Sequence, residues 1–592
     1  MERWGEVVRD GDSGAMERWG EVVRDGESGG AEQRNQSAAG KPSTRLARHH
    51  FNDPTLPADL SDAVGDQMTA ISKRWRVLSV SAGTVAVIAV PAAAQAATAA
   101  PAAQAAPATA APAAAAQPVV KLSSSPLGMN IPPWNALYAN TGSGNILQKD
   151  LKNADVTQIH YGGGQYADEF DWQTDSSIQN CPTTALPEYK AKCAIYNALY
   201  FTLFSKKARA IGAQSFVTVN YGSGTPAEAA AEVRQSKKAG DQVAEWEIGN
   251  ENYGCWEDNN WLADAPEHYK GYKPGVNADC PMVTEGVNGG METMAKSYAA
   301  NAGKFMAAMK AANPSADLGV PYAFDSTVGG ASVAGSTIWN NTVLSADRKY
   351  IGFVDLHWYP VSYGGTTGAG GNPTAQQVIQ TVYQIPAEYA KVKAELNAEG
   401  LSKAKMVVGE TGVSYLATNT ACTATGALFA AGDALEWLSA GASSVDWWTL
   451  SGFGNTGKTC SKADEGMFTS NNKPVQESPY IGYLLAGNLT KPGAKLKKLN
   501  LTPAADASSV LAFQSVLPSG KTDVLLINTS TSAQASVKFG SALGGKLTKV
   551  LYAGGKQNSF GTKTTTSTTT SAAVAKGIVL PPESITLLKN GS

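Results

Sequence analysis

Charge of either sign is scarce in this chain. Only 17% of its 592 residues are Asp, Glu, Lys or Arg, and 48 basic against 50 acidic side chains leave a formal net charge of -2. A surface without a positive excess offers little to a phosphate backbone, so nucleic acid is excluded as an expected partner. Histidine is scarcer still, at five scattered residues, and neither a metal nor an organic cofactor is expected. Six cysteines occur without any Cys-x-x-Cys pair, which excludes a zinc ribbon and, in an exported chain, favours disulfides. Their order suggests the local pairs Cys181–Cys193, Cys255–Cys280 and Cys422–Cys460, with other pairings open. Long hydrophobic runs are missing too. The run from Val77 to Val90 suits the apolar segment of a signal peptide and falls short of a membrane span, so no stable membrane association is expected.

What is present starts with that export signal. Lys73, Arg74 and Arg76 precede the apolar run and Ala94-Gln95-Ala96 supplies a small-x-small cleavage site, so residues 68–96 read as a signal peptide and the protein as secreted and extracellular. An uncleaved N-terminal anchor is the alternative. Residues 1–67 stand ahead of a signal that should open the chain, and Met1 to Gly11 recurs unchanged at Met16 to Gly26. They read as a start placed too far upstream, or as a cytoplasmic tail with no periodicity to give it a fold. Residues 97–118 are almost wholly Ala, Pro, Thr and Gln, a composition that buries no core and reads as an extended linker.

From Val119 the composition becomes that of a globular protein, and up to residue 493 apolar strands alternate with helical segments. Strands are expected at 127–131, 158–162, 214–220, 243–248, 317–323, 353–358, 405–409 and 444–450, the count of a (β/α)8 barrel. Between them, Thr225-Pro226-Ala227-Glu228 has the form of a capping box with proline at the first helical position. Met291, Met294, Tyr298, Phe305 and Met309 recur at helical spacing before Asn313-Pro314 and read as a core-facing stripe. After a helix near 479–488 the period changes to two. Strands at 494–501, 510–516, 522–528, 535–539, 546–552 and 577–588 then predict an antiparallel β-sandwich over 494–592, with 562–571 as a low-complexity loop. The expected fold class is α/β, a TIM barrel followed by that sandwich.

Two segments carry chemistry. Trp246-Glu247-Ile248-Gly249-Asn250-Glu251 and Met406-Val407-Val408-Gly409-Glu410 are both apolar strands that deliver a carboxylate at the C-terminal end, the face on which barrel active sites sit. By count they end strands four and seven, across the barrel mouth from each other. A paired acid and nucleophile is what glycoside hydrolysis needs, and a separation of roughly 5 Å would make it retaining. Glu245 and Glu247, on the strand itself, read as barrel-interior hydrogen-bonding residues. The acid/base should have a raised pKa and the nucleophile a low one.

Three further segments narrow the pattern: Tyr161-Gly162-Gly163-Gly164-Gln165-Tyr166-Ala167-Asp168-Glu169-Phe170-Asp171-Trp172, Val219-Asn220-Tyr221-Gly222-Ser223-Gly224-Thr225, and Asp355-Leu356-His357-Trp358-Tyr359. Together with Asn250-Glu251 and Glu410, the chain from 127 to 493 resembles the clan A glycoside hydrolases, in particular family 51 α-L-arabinofuranosidases and family 79 β-glucuronidases. The resemblance implies Glu251 as acid/base, Glu410 as nucleophile, and Asn250 as a hydrogen-bond partner of the sugar 2-hydroxyl. It implies His357 or Tyr359 beside the nucleophile, and Asn220, Tyr161, Asp171 and Trp172 as further substrate contacts. His357 as a core histidine is the plainer alternative, and Asp168, Glu169 and Asp171 bind sugar or cap their loop. Trp447 and Trp448 offer a wall for a sugar face or pack in the core, and Trp256 beside Cys255 lines the cleft or an exposed loop. One departure stands out. Family 51 places an acidic residue after strand one, whereas Leu127-Gly128-Met129-Asn130-Ile131-Pro132-Pro133-Trp134 has none. The implied activity is an exo-acting α-L-arabinofuranosidase on a carbohydrate substrate. A β-glucuronidase or β-xylosidase, an endo-glycanase, and a non-catalytic carbohydrate-binding protein are the alternatives.

Overall fold

The computed structural model describes residues 118–592 apart from 169, 174–175, 178–198, 242, 256, 258–279, 326–331, 362–372, 415–422, 453–465, 503–507, 540–542, 554–563 and 591–592. The segments 1–67, 68–96 and 97–117, the pairs Cys181–Cys193 and Cys422–Cys460, and Glu169 and Trp256 lie outside the described residues.

Eight parallel strands close into a barrel: β1 Leu127–Asn130, β2 Gln158–Tyr161, β3 Gln214–Val219, β4 Val243–Ile248, β5 Leu318–Tyr322, β6 Ile351–Trp358, β7 Lys405–Thr411 and β8 Ser444–Trp447. Each pairs with its neighbour in the chain, and β8 closes on β1 through Val445–Leu127 and Trp447–Met129. Helices α1 Thr141–Asn153, α2 Phe201–Ile211, α3 Pro226–Ala239, α4 Val287–Ala312, α5 Ser336–Ala346, α6 Ile385–Ala398, α7 Ala424–Ala440 and α8 Ser478–Ala486 follow the successive strands. Their ends follow local chemistry. Thr225 accepts the Glu228 N–H at the start of α3, and Gly240 ends it at φ 72°, the left-handed conformation that a Cβ penalises. The stripe Met291, Met294, Tyr298, Phe305 and Met309 is buried along α4 as expected, each side chain contributing about 1.5–3 kcal/mol of burial.

Strand parity sorts the barrel chemically. On β2, Ile159 joins the apolar core and Tyr161 packs against Phe201 and Phe204 of α2, whereas Gln158 and His160 bond to groups inside the barrel. On β4, Glu245 and Glu247 are both buried with polar partners, Glu245 with Gln158 and Lys405 and Glu247 with Thr218. The barrel interior therefore combines these polar groups with a small apolar cluster of Phe216, Phe353 and Val407, and the larger apolar core lies between strands and helices.

The C-terminal domain is an antiparallel sandwich. Its larger sheet runs in the order Val120–Lys121, β9 Lys495–Lys498, β10 Val510–Val516, β11 Thr522–Asn528, β16 Ser584–Asn590, β13 Lys546–Ala553 and β14 Thr565–Thr570. The smaller one joins Leu501–Thr502, β12 Ala535–Phe539 and β15 Ile578–Leu580. Leu511, Phe513, Leu525, Ile527, Ile585 and Leu587 continue the barrel's core, while Ala512, Val524, Leu526 and Leu588 on the other face of the same strands meet the small sheet. Residues 562–571, expected as a loop, contain β14, which pairs with β13 from Lys546–Thr570 to Leu551–Thr565. Low complexity misled here: β-branched threonine favours an extended edge strand without needing to bury anything. The expected strand 577–588 is likewise two strands, β15 and β16, broken at Pro581-Pro582-Glu583.

Candidate active site

Glu251 and Glu410 come together at the C-terminal mouth of the barrel. One oxygen of each, with Nδ1 of His357, lies within 4.8 Å of the others. Glu251 stands three residues past the end of β4 in the left-handed region at φ 41°. Gly249, at φ 75°, makes that turn possible, since a Cβ there would meet Asn252 Oδ1 at 2.2 Å. Glu410 was expected just beyond its strand and instead lies within β7, which runs on to Thr411. A register shift between Val407 and Glu410 against β6 re-aims the strand at this point.

The two carboxyls have different surroundings. Glu410 receives the Tyr359 hydroxyl at 2.8 Å and the Gly164 N–H at 2.9 Å. Glu251 receives the Tyr253 hydroxyl at 3.3 Å and faces His357 Nδ1 at 2.8 Å. Behind them, His357 Nε2 donates to Asp355 Oδ2 at 3.2 Å. Burial opposes a charge on His357, but Glu410, Asp355 and Glu251 outweigh it and hold its pKa well above the usual imidazole range. Glu410 was expected to be an unusually strong acid. Burial instead pushes it up to about 7; His357 pulls it back, Glu251's charge adds to the rise, and the Tyr359 bond lowers it. Two carboxyls this close hold one proton between them.

Asn250 is buried. Its Oδ1 accepts the Gly164 N–H at 3.1 Å and its Nδ2 donates to Glu257 Oε1 at 3.2 Å. The strand-two loop presses on Glu410's side of the site. A Cβ on Gly163 would meet Asn130 Oδ1 at 2.6 Å and Glu410 Oε1 at 3.2 Å, and one on Gly164 would meet the Trp448 ring at 2.7 Å. The triads Glu251–His357–Glu410 and Glu247–Asp355–His357 have donor types a cation could use, and the chemistry below needs no metal.

Solved structures share this architecture. The α-L-arabinofuranosidase of Thermotoga maritima in its arabinose complex matches at 17% identity and a TM-score of 0.56, over 80% of this chain and 97% of its own. A family 51 α-L-arabinofuranosidase from Thermotoga petrophila RKU-1 matches at 16% and 0.56, over 80% and 98%. A 4-O-α-L-rhamnosyl-β-D-glucuronidase from Fusarium oxysporum 12S matches at 15% and 0.52, also over 80% and 98%. The fold is that of the clan A glycoside hydrolases. At these identities the likeness is one of fold. No protein-family model matches the chain, and no curated protein matches it.

Several expected contacts lie elsewhere. Tyr161 is 2% exposed, donates to Leu199 O at 2.9 Å and packs in the helix layer. Trp447 is buried against Phe429 and Tyr483, and its neighbour Trp448, half-buried, reaches the glycine loop instead. Ser444 and Asp446 are the buried polar residues of β8, and that parity points Trp448 inward and Trp447 outward. Asn220 organises its own turn, donating to Phe170 O and Ser223 Oγ and accepting from Ser223 N and Gly224 N. Asp171 caps Gln173 N at 2.9 Å. Trp172 lines a groove of about 360 Å³ with Tyr200, Phe201 and Gln235, to which neither glutamate contributes. Asp168 is a loop cap: its carboxylate accepts from Tyr221 N, Gly222 N, Asn250 N and Asn252 Nδ2, tying the ends of β2, β3 and β4 together. Sequence reasoning passed over Tyr253, Glu257 and Asp355. Asp355 could have been found from its place two residues before His357, on the same strand face. Cys255 and Cys280 form a disulfide just beyond Glu251, as expected.

Proposed function

We propose that this protein is a retaining glycoside hydrolase with Glu251 as acid/base and Glu410 as nucleophile. The observation that carries the reading is that an oxygen of each carboxyl lies within 4.8 Å of one of the other, a close approach that suits double displacement, whereas inverting pairs stand roughly 6.5–9.5 Å apart to admit a water. Glu410 attacks the anomeric carbon while Glu251 gives its proton to the leaving oxygen, forming a covalent glycosyl-enzyme. Glu251, now ionised, then takes a proton from the water that releases the sugar. Tyr359 O–H and Gly164 N–H hold the Glu410 anion in line. The second Nδ2–H of Asn250 is the group left to reach a sugar 2-hydroxyl, a contact that gains strength toward the transition state.

The first substrate is an α-L-arabinofuranoside removed from the end of a side chain, the reading favoured by the arabinofuranosidases of like fold. A β-glucuronide or β-xyloside is the second, favoured by the end of β1, where Asn130 stands and Nδ2 donates to Gly409 O at 2.7 Å, with no carboxylate to hold furanose hydroxyls. The export signal and the Cys255–Cys280 disulfide support secretion. No helix among the described residues is long and apolar enough to cross a membrane. Hydrolysis of aryl α-L-arabinofuranoside, β-D-glucuronide, β-D-xyloside and β-D-galactofuranoside, with Glu410→Gln as control, tests the reading. Turnover of one sugar that vanishes in the control upholds it; silence across the panel sinks the exo-acting reading.

A further inference from the structure

We propose that Glu247, buried beneath the catalytic pair, works as an un-ionised carboxylic acid whose proton sets the direction of a hydrogen-bond chain positioning the nucleophile. The inference rests on the reading of Glu410 as nucleophile. Gly409, the residue before Glu410, is gripped from three sides: its N–H donates to Asp355 Oδ1 at 2.7 Å, and its carbonyl accepts from Asn130 Nδ2 at 2.7 Å and from His160 Nδ1 at 3.0 Å. A carbonyl can only accept, so Nδ1 of His160 carries a hydrogen. The other ring nitrogen, Nε2, sits 2.7 Å from Thr218 Oγ1, which in turn is 2.8 Å from Glu247 Oε2.

A hydroxyl has one hydrogen, so only two protonation patterns complete this chain. In the first, Glu247 donates to Thr218, Thr218 donates to Nε2, and His160 is neutral. In the second, Thr218 donates to Glu247 Oε2, whether Glu247 is a carboxylate or an acid whose proton lies on Oε1 toward Asp355, and His160 must be an imidazolium. His160 and Glu247 are both 0% exposed, and the His160 ring is stacked on Phe216 at 3.9 Å, so the second pattern buries an imidazolium against an aromatic face and, with an ionised Glu247, a second full charge one hydroxyl away. It also sets a second carboxylate against Asp355, since an oxygen of each lies within 4.8 Å of the other. Asp355 is the acceptor of the two, because its oxygens already receive Gly409 N–H and His357 Nε2–H.

The titratable groups facing Glu247 are Asp355 and His357 on β6, His160 on β2 reached through Thr218, Tyr298 on α4, and Tyr253 in the turn after β4. Lys405 pairs with Glu245 and Asp317 instead. Burial, then Asp355's charge, hold Glu247 well above the usual carboxylate range, and burial lowers His160 to about 4, both in keeping with the first pattern. The un-ionised acid leaves Asp355 as the acceptor for His357, which stands between the two catalytic carboxyls.

The test uses the full-length chain near neutral pH. In infrared difference spectra, wild type minus Glu247→Gln, the expected loss is the deuterium-sensitive C=O stretch of a protonated carboxyl. Loss of a carboxylate stretch instead overturns the proposal. Nitrogen-15 histidine NMR of the wild type needs no variant: His160 is expected as the neutral Nδ1–H tautomer, and a doubly protonated ring overturns the proposal. On the turned-over aryl glycoside, Glu247→Val should lower kcat about 100-fold with KM little changed, the cost of a slightly displaced nucleophile. Glu247→Gln, which still offers a neutral donor to Thr218, should recover most of that loss; a Gln variant no better than Val counts against the proposal. The spectra need no turnover, so a chain that hydrolyses no glycoside sinks the functional reading separately.

Discussion

Glu251 and Glu410 look alike in sequence, each an acid at the end of an apolar strand, and the fold makes them different. The Glu251 side chain keeps 19% exposure, lies beyond its strand in a left-handed turn, and touches groups that can exchange a proton with it. Glu410 is 5% exposed, held inside its strand, and takes two fixed donors on opposite oxygens. On the proposed roles, the acid/base must gain and lose a proton in each cycle and needs access. The nucleophile must stay put as an anion and needs fixed donors.

Three substitutions would break or sharpen that contrast. Glu410→Gln should lower kcat/KM by at least about 10⁴-fold on every substrate, since no other group can form the glycosyl bond; residual turnover within tenfold of wild type would remove it from the chemistry. Glu251→Ala should lose about 10²–10⁴-fold on glycosides with poor leaving groups while sparing the first step on dinitrophenyl glycosides. Equal loss on both would sink the acid/base assignment.

Glu410→Gln should also stabilise the fold. The proton the two carboxyls share is held to about 7 in the fold, against an ordinary carboxyl value of 4.5, so the native pair binds it more tightly than the unfolded chain does. Stability then falls as pH rises through that window, by about 3 kcal/mol above it, and the amide escapes the loss. Denaturation midpoints should favour the variant above pH 7 and match below pH 4.5; a gain independent of pH would show another cause. Smallest, Tyr359→Phe should cost about 100-fold in kcat/KM and move the acid limb of the pH profile upward, because the lost O–H stabilised the anion. An unmoved limb would leave Tyr359 a packing residue.

The eight barrel strands were legible because each is a short apolar run between a helix stop and a loop, and Glu251 and Glu410 were legible as acids at the ends of two of them. Tyr161 and Trp447 were misread where polarity did not reveal parity: an aromatic fits either the helix layer or a sugar face, and only the neighbours His160 and Asp446 show which way each strand turns. The threonine-rich strand β14 was missed because its exposed residues lack the alternation by which half-buried strands are recognised.

Local pattern alone determined the order of elements, the helix caps and the acids available at the barrel mouth, since these depend on residues within a few positions of one another. Only tertiary structure decided the approach of the two carboxyls, the replacement of Trp447 by Trp448 at the site, and the chain from Glu247 to Gly409. Each joins strands tens to hundreds of residues apart, and the distances and shared protons among them exist only once the barrel has closed.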